Sequence, residues 1–265
     1  MPQVLKKNTT PKYVDKYNKD GYAIIKNVLD LEIVRELNKH VLWLRKKNPH
    51  IRPEAFHHHL LVKDPFIHFL LHQERLLNIV QNILGSNIAL FGAHYIAKKP
   101  LDGKPVGWHQ DGSYWPLKPM EVLSVWIACT KSEKNNACMR VIPGSQNMKI
   151  IKPSEMVKLD LNKFVLDLAI DSSKIDDTKA VDIELNPGDI SIHNPLIIHG
   201  SNSNHSKNWR IGLTLRYIPT TTFVDRKNWD CILLKGYAKK NVNNKYIDKP
   251  SYKKGVHMPF RGCED

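Results

Sequence analysis

The spacing of apolar residues changes once along this chain, near Ile88, and that change restricts the fold more than any other feature. Before it, apolar positions recur at helical spacing. Thr10-Pro11 reads as a helix start with proline at the first helical position, and Gly21 as its end. Tyr22 to Val28 reads as a strand, and Asp30 then caps a helix carried by Val34, Leu37, Val41 and Leu44. Asp64-Pro65 repeats the start signal, and Leu70, Leu76, Leu77, Val80, Ile83 and Leu84 extend a helical region to Gly85. From Ile88 onward short β-rich runs follow at 88–97, 122–130, 138–142, 181–185, 190–193 and 209–218, separated by Pro, Gly, Asn and Asp. Helices first and short strands afterwards imply a helical layer packed on a β-sandwich or barrel. The stretch 145–180 is a long polar insertion with weak periodicity, of the kind that covers a site.

At 265 residues, with no Gly/Ser/Pro-rich linker and no internal repeat, the chain reads as a single domain over 1–265. Its parts are a helical segment at about 1–87, a β core at about 88–220 and a C-terminal extension at about 221–265. The apolar runs are short and broken by charge, so none is expected to span a bilayer. The start, Met1 to Asn8, has no hydrophobic stretch of signal-peptide length. Cys129, Cys138, Cys231 and Cys263 lack CxxC pairing, which points to buried or incidental thiols in a reducing cytoplasm rather than a disulfide framework. The formal charge is +14, but the lysines are spread from Lys6 to Lys254 beside many asparagines. That is a drift of the whole composition, and it favours attraction of a small anion over a nucleic-acid stripe.

A spaced set of polar residues carries the chemistry. His109 and Asp111 are two apart, so on a strand both side chains point to one face. His199 closes the apolar run Ile197-Ile198, and Arg210 follows eleven residues later in a strand whose alternation puts Arg210, Gly212, Thr214 and Arg216 together. Two imidazoles and one carboxylate can occupy one face of an octahedral metal and leave three positions open, the ligand choice of non-haem Fe(II) oxygenases. An arginine beside such a metal supplies a bidentate fork for a carboxylate, and Ser201 adds a hydroxyl. Each residue alone has a bland reading: a His-Gln-Asp-Gly surface turn, a satisfied core histidine, a solvated strand arginine. His193 is a rival ligand, ranked lower because no arginine follows it at the same distance.

Together these residues resemble the phytanoyl-CoA dioxygenase family of Fe(II)/2-oxoglutarate-dependent oxygenases, from Asp20-Gly21-Tyr22 to about Pro219. The most specific stretches are Gly107-Trp108-His109-Gln110-Asp111, Asn135-Asn136-Ala137-Cys138 through Pro143-Gly144-Ser145, and His199-Gly200-Ser201 through Arg210. The resemblance implies a double-stranded β-helix with N-terminal helices. It implies Fe(II) on His109, Asp111 and His199, with the distal carboxylate of 2-oxoglutarate on Arg210 and Ser201, and Trp126 and Tyr95 nearby. Dioxygen and a small-molecule substrate complete the expected partners, with succinate and carbon dioxide as co-products. A carboxylate at Asp111, where related halogenases have glycine or alanine, implies hydroxylation, desaturation or cyclisation. Ala137 and Gln146 depart from the family's usual glycine and histidine, outside the iron set.

For the substrate, the expectation is a small anionic metabolite such as an organophosphonate or a carboxylate, with Lys104, Lys118, Arg140 and Arg216 as basic contacts. Two alternatives stand beside it. AlkB-type nucleobase demethylases use the same iron set and a similar arginine pair, but have a longer gap before the first arginine and lack the Asn-Asn-Ala-Cys to Pro-Gly-Ser stretch. A cupin-like module that binds a ligand or metal without turnover has no need of a cosubstrate arginine.

Overall fold

The computed structural model describes residues 10–263; the start at Met1 to Asn8, read above for its lack of a hydrophobic stretch, lies outside the described residues. Helix α1 (Lys12–Asp20) stops at Gly21, which takes φ 80° and donates its N–H to the Tyr17 carbonyl, a left-handed cap that glycine adopts without a Cβ penalty. Helix α2 (Leu31–Lys47) is capped by Asp30, whose carboxylate accepts from Ile33 N–H at 2.8 Å. After the single turn α3 (His58–Leu61), Asp64 caps α4 (Pro65–Leu71) by accepting from Phe66 and Ile67 N–H. The helical region expected to run unbroken to Gly85 is two helices. Gln73 adopts ψ 118°, outside helical geometry, and α5 (Glu74–Leu84) starts behind it.

The strands are β1 (Tyr22–Ile25), β2 (Ile88–Lys98), β3 (Val106–His109), β4 (Leu117–Lys118), β5 (Leu123–Ala128), β6 (Met139–Val141), β7 (Val157–Lys158) and β8 (Leu168–Ala169). They continue with β9 (Val181–Ile183), β10 (Ile190–His193), β11 (His199–Ser201), β12 (Arg210–Pro219), β13 (Phe223–Val224), β14 (Asp230–Lys235) and β15 (Lys245–Tyr246). A seven-stranded sheet runs β1-β10-β5-β12-β2-β14-β15 and a four-stranded sheet runs β3-β11-β6-β9. All pairings are antiparallel except β14 with β15. The architecture is the double-stranded β-helix with N-terminal helices. Residues beyond 220 are built into it, because β14 extends the larger sheet by pairing with β2. Among the described residues no helix is long and apolar enough to cross a membrane.

Alternation along the central strands separates two environments. Leu123, Val125 and Ile127 of β5, Ile190 and Ile192 of β10, and Ile211, Leu213 and Leu215 of β12 join the helices in one apolar cluster. The intervening residues, including Ser124, Trp126, His193, Arg210 and Thr214, belong to the opposite face and are buried there as well. A second, smaller apolar cluster around Trp126, Met139, Val141 and Ile197 fills part of the space between the sheets. The four cysteines are free and buried, as their spacing implied.

His58 ties α3 to the C-terminal segment. Its Nε2–H donates to the Asp230 carbonyl at 2.8 Å, and its ring stacks on Trp229 at 4.9 Å. Burial pushes this imidazole down from its ordinary 6.5 to about 4. The unfolded chain therefore takes up this proton at higher pH than the folded one, and stability that is complete above about pH 6.5 is lost as pH falls toward 4. We expect the thermal midpoint to fall across that window and the fall to be shallower in His58→Gln. A slope unchanged by the substitution would contradict the assignment.

Candidate metal and cosubstrate site

Two short strands bring the histidines together. β3 and β11 pair antiparallel with His199 opposite His109, and the ring centroids lie 4.1 Å apart. In each ring Nδ1 bonds a backbone carbonyl two residues earlier, Gly107 at 2.9 Å for His109 and Ile197 at 3.0 Å for His199. A carbonyl only accepts, so Nδ1 carries the proton and Nε2 keeps its lone pair. Asp111 lies just past the end of β3, at the first position of a 3₁₀ turn, rather than on the strand as the sequence reading had it. Gln110 between them is still extended, at φ −106° and ψ 127°, so the two-residue step delivers the carboxylate to the histidines. The Gln110 side chain is buried, donates to the Leu196 carbonyl and accepts from Ile151 N–H, both at 2.8 Å.

Asp111 Oδ1 lies 3.5 Å from His109 Nε2 and 3.9 Å from His199 Nε2, and one ligand atom from each residue falls within 4.8 Å of the others. Two imidazole nitrogens and one carboxylate oxygen, buried and converging, are a donor set that fits a divalent transition metal. Burial opposes the charge on Asp111, but Arg216 and the neighbouring imidazoles outweigh it and hold the carboxyl well below the usual range. Burial, then the adjacent His109, pushes His199 well below its ordinary value. The carboxylate is thus ionised and the second imidazole neutral, as metal ligation requires. The rival His193 approaches the other oxygen, with Nε2 3.7 Å from Oδ2, too far for a hydrogen bond. Arg216 Nε stands 3.8 Å and Ser124 Oγ 3.4 Å from that same Oδ2.

Arg210 is 1% exposed, and its Nε and Nη2 have no hydrogen-bond partner among the described residues. Its guanidinium lies over the Trp126 ring at 5.5 Å, and burial lowers its pKa to about 10. Directly across the β2–β12 pairing stands Lys98, also fully buried, which no sequence argument singled out. Lys98 Nζ donates to Ser201 Oγ at 2.8 Å and to the Asn202 carbonyl. The Ser201 oxygen is thereby used as an acceptor, and its own proton is free to be donated.

Arg210, Ser201 and Trp126 line the same cavity of about 420 Å³ as the three converging residues. Tyr95 does not. It sits on the opposite face of β2 from His94 and Ile96, in the helix-facing core, with its hydroxyl 3.1 Å from His40 Nδ1. The expected pocket role of Tyr95 is corrected by the parity of β2 alone. Of the four basic candidates only Arg216 reaches the cavity. Arg140 is paired with Asp177 and Asp182, Lys118 with Asp225, and Lys104 with the Leu161 carbonyl. The polar insertion does cover the site, through Val165 and Leu166. The cavity wall also contains His57, His58, Arg226 and Trp229, which sequence reasoning missed. The run His57-His58-His59 was a visible signal; nothing local marked Arg226 or Trp229.

The sequence profile of the phytanoyl-CoA dioxygenase (PhyH) family matches residues 17–212. The chain belongs to the phytanoyl-CoA dioxygenase family. A probable phytanoyl-CoA dioxygenase of Caenorhabditis elegans is 27% identical over 164 residues, covering 58% of this chain and 51% of that protein. A probable alpha-ketoglutarate-dependent hypophosphite dioxygenase of Stutzerimonas stutzeri is 27% identical over 161 residues, covering 59% and 56%. The chain spans about half the length of the curated relatives it matches. Among solved structures, the non-heme monooxygenase ThoJ in its apo form superposes with TM-score 0.76 at 19% identity, over 90% of this chain and 88% of that one. This likeness shows a shared fold over 90% of the chain.

Gly212 permits the Arg210–Trp126 arrangement. A Cβ there would lie 1.9 Å from Trp126 Cζ2, inside the indole ring system. Gly212→Ala must therefore shift Trp126 or the β12 backbone, an overpacking that costs about 1–3 kcal/mol. We expect a lowered thermal midpoint together with an altered near-ultraviolet tryptophan signal. A variant with both unchanged would show that Trp126 does not need this close approach.

Proposed function

We propose that this family member is an Fe(II)- and 2-oxoglutarate-dependent dioxygenase, folded as one domain, that hydroxylates an unactivated C–H of a small anionic metabolite. His109, Asp111 and His199 would hold the Fe(II), and Arg210 with Ser201 the distal carboxylate of 2-oxoglutarate. The observation that carries this reading is a metal-competent donor set sharing one cavity with a buried guanidinium that pairs with no anion among the described residues. A cupin-like binding module needs the first but not the second.

Iron bound there supplies, with 2-oxoglutarate and dioxygen, the oxidising power for C–H hydroxylation, with succinate and carbon dioxide released. The protein's share is orientation and exclusion of water. The Nδ1–carbonyl bonds fix both imidazoles with Nε2 inward. Arg216 and Ser124 stand beside Asp111 Oδ2, leaving Oδ1 to the histidine side. Trp126 carries Arg210 on its face, and Lys98 turns the Ser201 hydroxyl proton toward an acceptor. Val165 and Leu166 close the wall. The Stutzerimonas relative's name, a hypophosphite dioxygenase, supports an oxyanion such as a phosphonate or carboxylate as substrate. Four free, buried thiols support a reducing, cytoplasmic setting.

Removing the guanidinium should act on cosubstrate affinity first. Losing a charge-assisted bidentate contact in a buried site costs about 2–5 kcal/mol, roughly thirty-fold or more in affinity. Calorimetric titration of 2-oxoglutarate into the Mn(II)-loaded protein should show this for Arg210→Ala, with Arg210→Lys recovering only part, since an ammonium lacks the planar fork. An unchanged titration in both variants would mean that another residue holds the cosubstrate.

A further inference from the structure

Part of the cavity wall, at Arg216, Arg226 and Trp229, comes from beyond residue 212, where the family match stops. Two arginine–tryptophan pairs stand there. Arg216 lies over Trp115 at 5.1 Å and Arg226 over Trp229 at 4.6 Å. The tryptophans are fixed in one frame: Trp229 Nε1–H donates to the Phe91 carbonyl at 2.6 Å, Phe91 packs edge-on to Trp115 at 5.1 Å, and His58 stacks on Trp229. All of these side chains line the cavity. Neither guanidinium makes a hydrogen bond within the described residues. Arg216 is largely buried, with 14% of its side chain exposed, and its one acidic neighbour, Asp111, is the residue read as a metal ligand. A guanidinium held over an indole can still present N–H groups to an oxyanion. Arg216 shares Asp111 with the proposed metal, and the exposed Arg226 pairs with no carboxylate among the described residues.

We propose that Arg216 and Arg226 form the acid-recognition subsite for the substrate, which is an organic acid: a carboxylate or phosphonate on a flat apolar body that packs against Phe91, Trp115 and Trp229. This rests on the dioxygenase reading for where the substrate is oxidised, while the acid contact itself is a property of these five residues. Both arginines line the same cavity as the metal cluster and Arg210, with Arg216 directly beside Asp111. A substrate as small as hypophosphite would leave the aromatic wall of Phe91, Trp115 and Trp229 without a partner.

The test uses the full-length protein with Mn(II) and saturating 2-oxoglutarate, so that Arg210 is occupied. Phenylphosphonate, indole-3-acetate and 1-naphthylacetate are titrated by calorimetry, each against its neutral counterpart (dimethyl phenylphosphonate, indole-3-acetamide, 1-naphthylacetamide). The expected result is that at least one acid binds and its neutral partner binds about tenfold or more weakly, the loss of one charge-assisted contact. Arg226→Gln and Arg216→Gln should each weaken the acid about tenfold, while Lys179→Gln, a neutralised exposed lysine, should not. Arg226, which makes no contact with Asp111, keeps the test decisive if Arg216→Gln fails to fold. No preference for any acid over its neutral partner, or acid affinity indifferent to Arg226→Gln, would overturn the proposal. Acid preference that persists while 2-oxoglutarate itself fails to bind would overturn the dioxygenase reading and leave the acid subsite standing.

Discussion

Arg210 and Lys98 stand opposite one another on adjacent strands, both fully buried, and among the described residues neither has a carboxylate within ion-pair reach. Two like charges out of water are costly, and breaking or omitting their counter-ion costs several kcal/mol in well-studied cases. The fold offsets part of this locally. Lys98 is solvated by Ser201 and the Asn202 carbonyl, and Arg210 by the face of Trp126. Burial, then Arg210, pushes the Lys98 ammonium well below its ordinary pKa, so Lys98 can relieve the pair by giving up its proton. Arg210 cannot do so at neutral pH. Its guanidinium is left with a demand for an anion, which under the proposed function the distal carboxylate of 2-oxoglutarate would meet.

The two-residue period of β12 makes this arrangement affordable to the fold. Ile211, Leu213 and Leu215 anchor the strand in the main apolar cluster beneath the helices, and Arg210, Thr214 and Arg216 reach the cavity from the same strand. β5 repeats the division, with Val125 and Ile127 outward and Trp126 inward. Polar residues can therefore occupy the inner face without thinning the core. The cost is concentrated at a few positions, such as Gly212, where any side chain would collide with Trp126.

Much of this was legible in the sequence, because long elements carry their own period. The caps Asp30 and Asp64, the stop at Gly21 and the strands read at 88–97, 190–193 and 209–218, which form at 88–98, 190–193 and 210–219, follow from spacing and turn chemistry. The histidine-bearing strands β3 and β11 are only four and three residues long and contain Gly107 and Gly200, so their extent was not legible, although His109 and Asp111 were read on a strand. Their histidines were found through ligand spacing instead. Tyr95 was misplaced because a motif position was followed where strand parity should have decided. Lys98, Arg226 and Trp229 were not found because only tertiary contact brings them to the site: Lys98 meets Ser201 across 103 positions and Trp229 meets Phe91 across 138.

The central claim is that His109, Asp111 and His199 form one metal face beside the Arg210 carboxylate site. Anaerobic optical titration tests it most directly. The account predicts a weak visible charge-transfer band that needs both Fe(II) and 2-oxoglutarate, that is lost in His199→Ala and that survives in His193→Ala. A band that persists without His199 and disappears without His193 would contradict it.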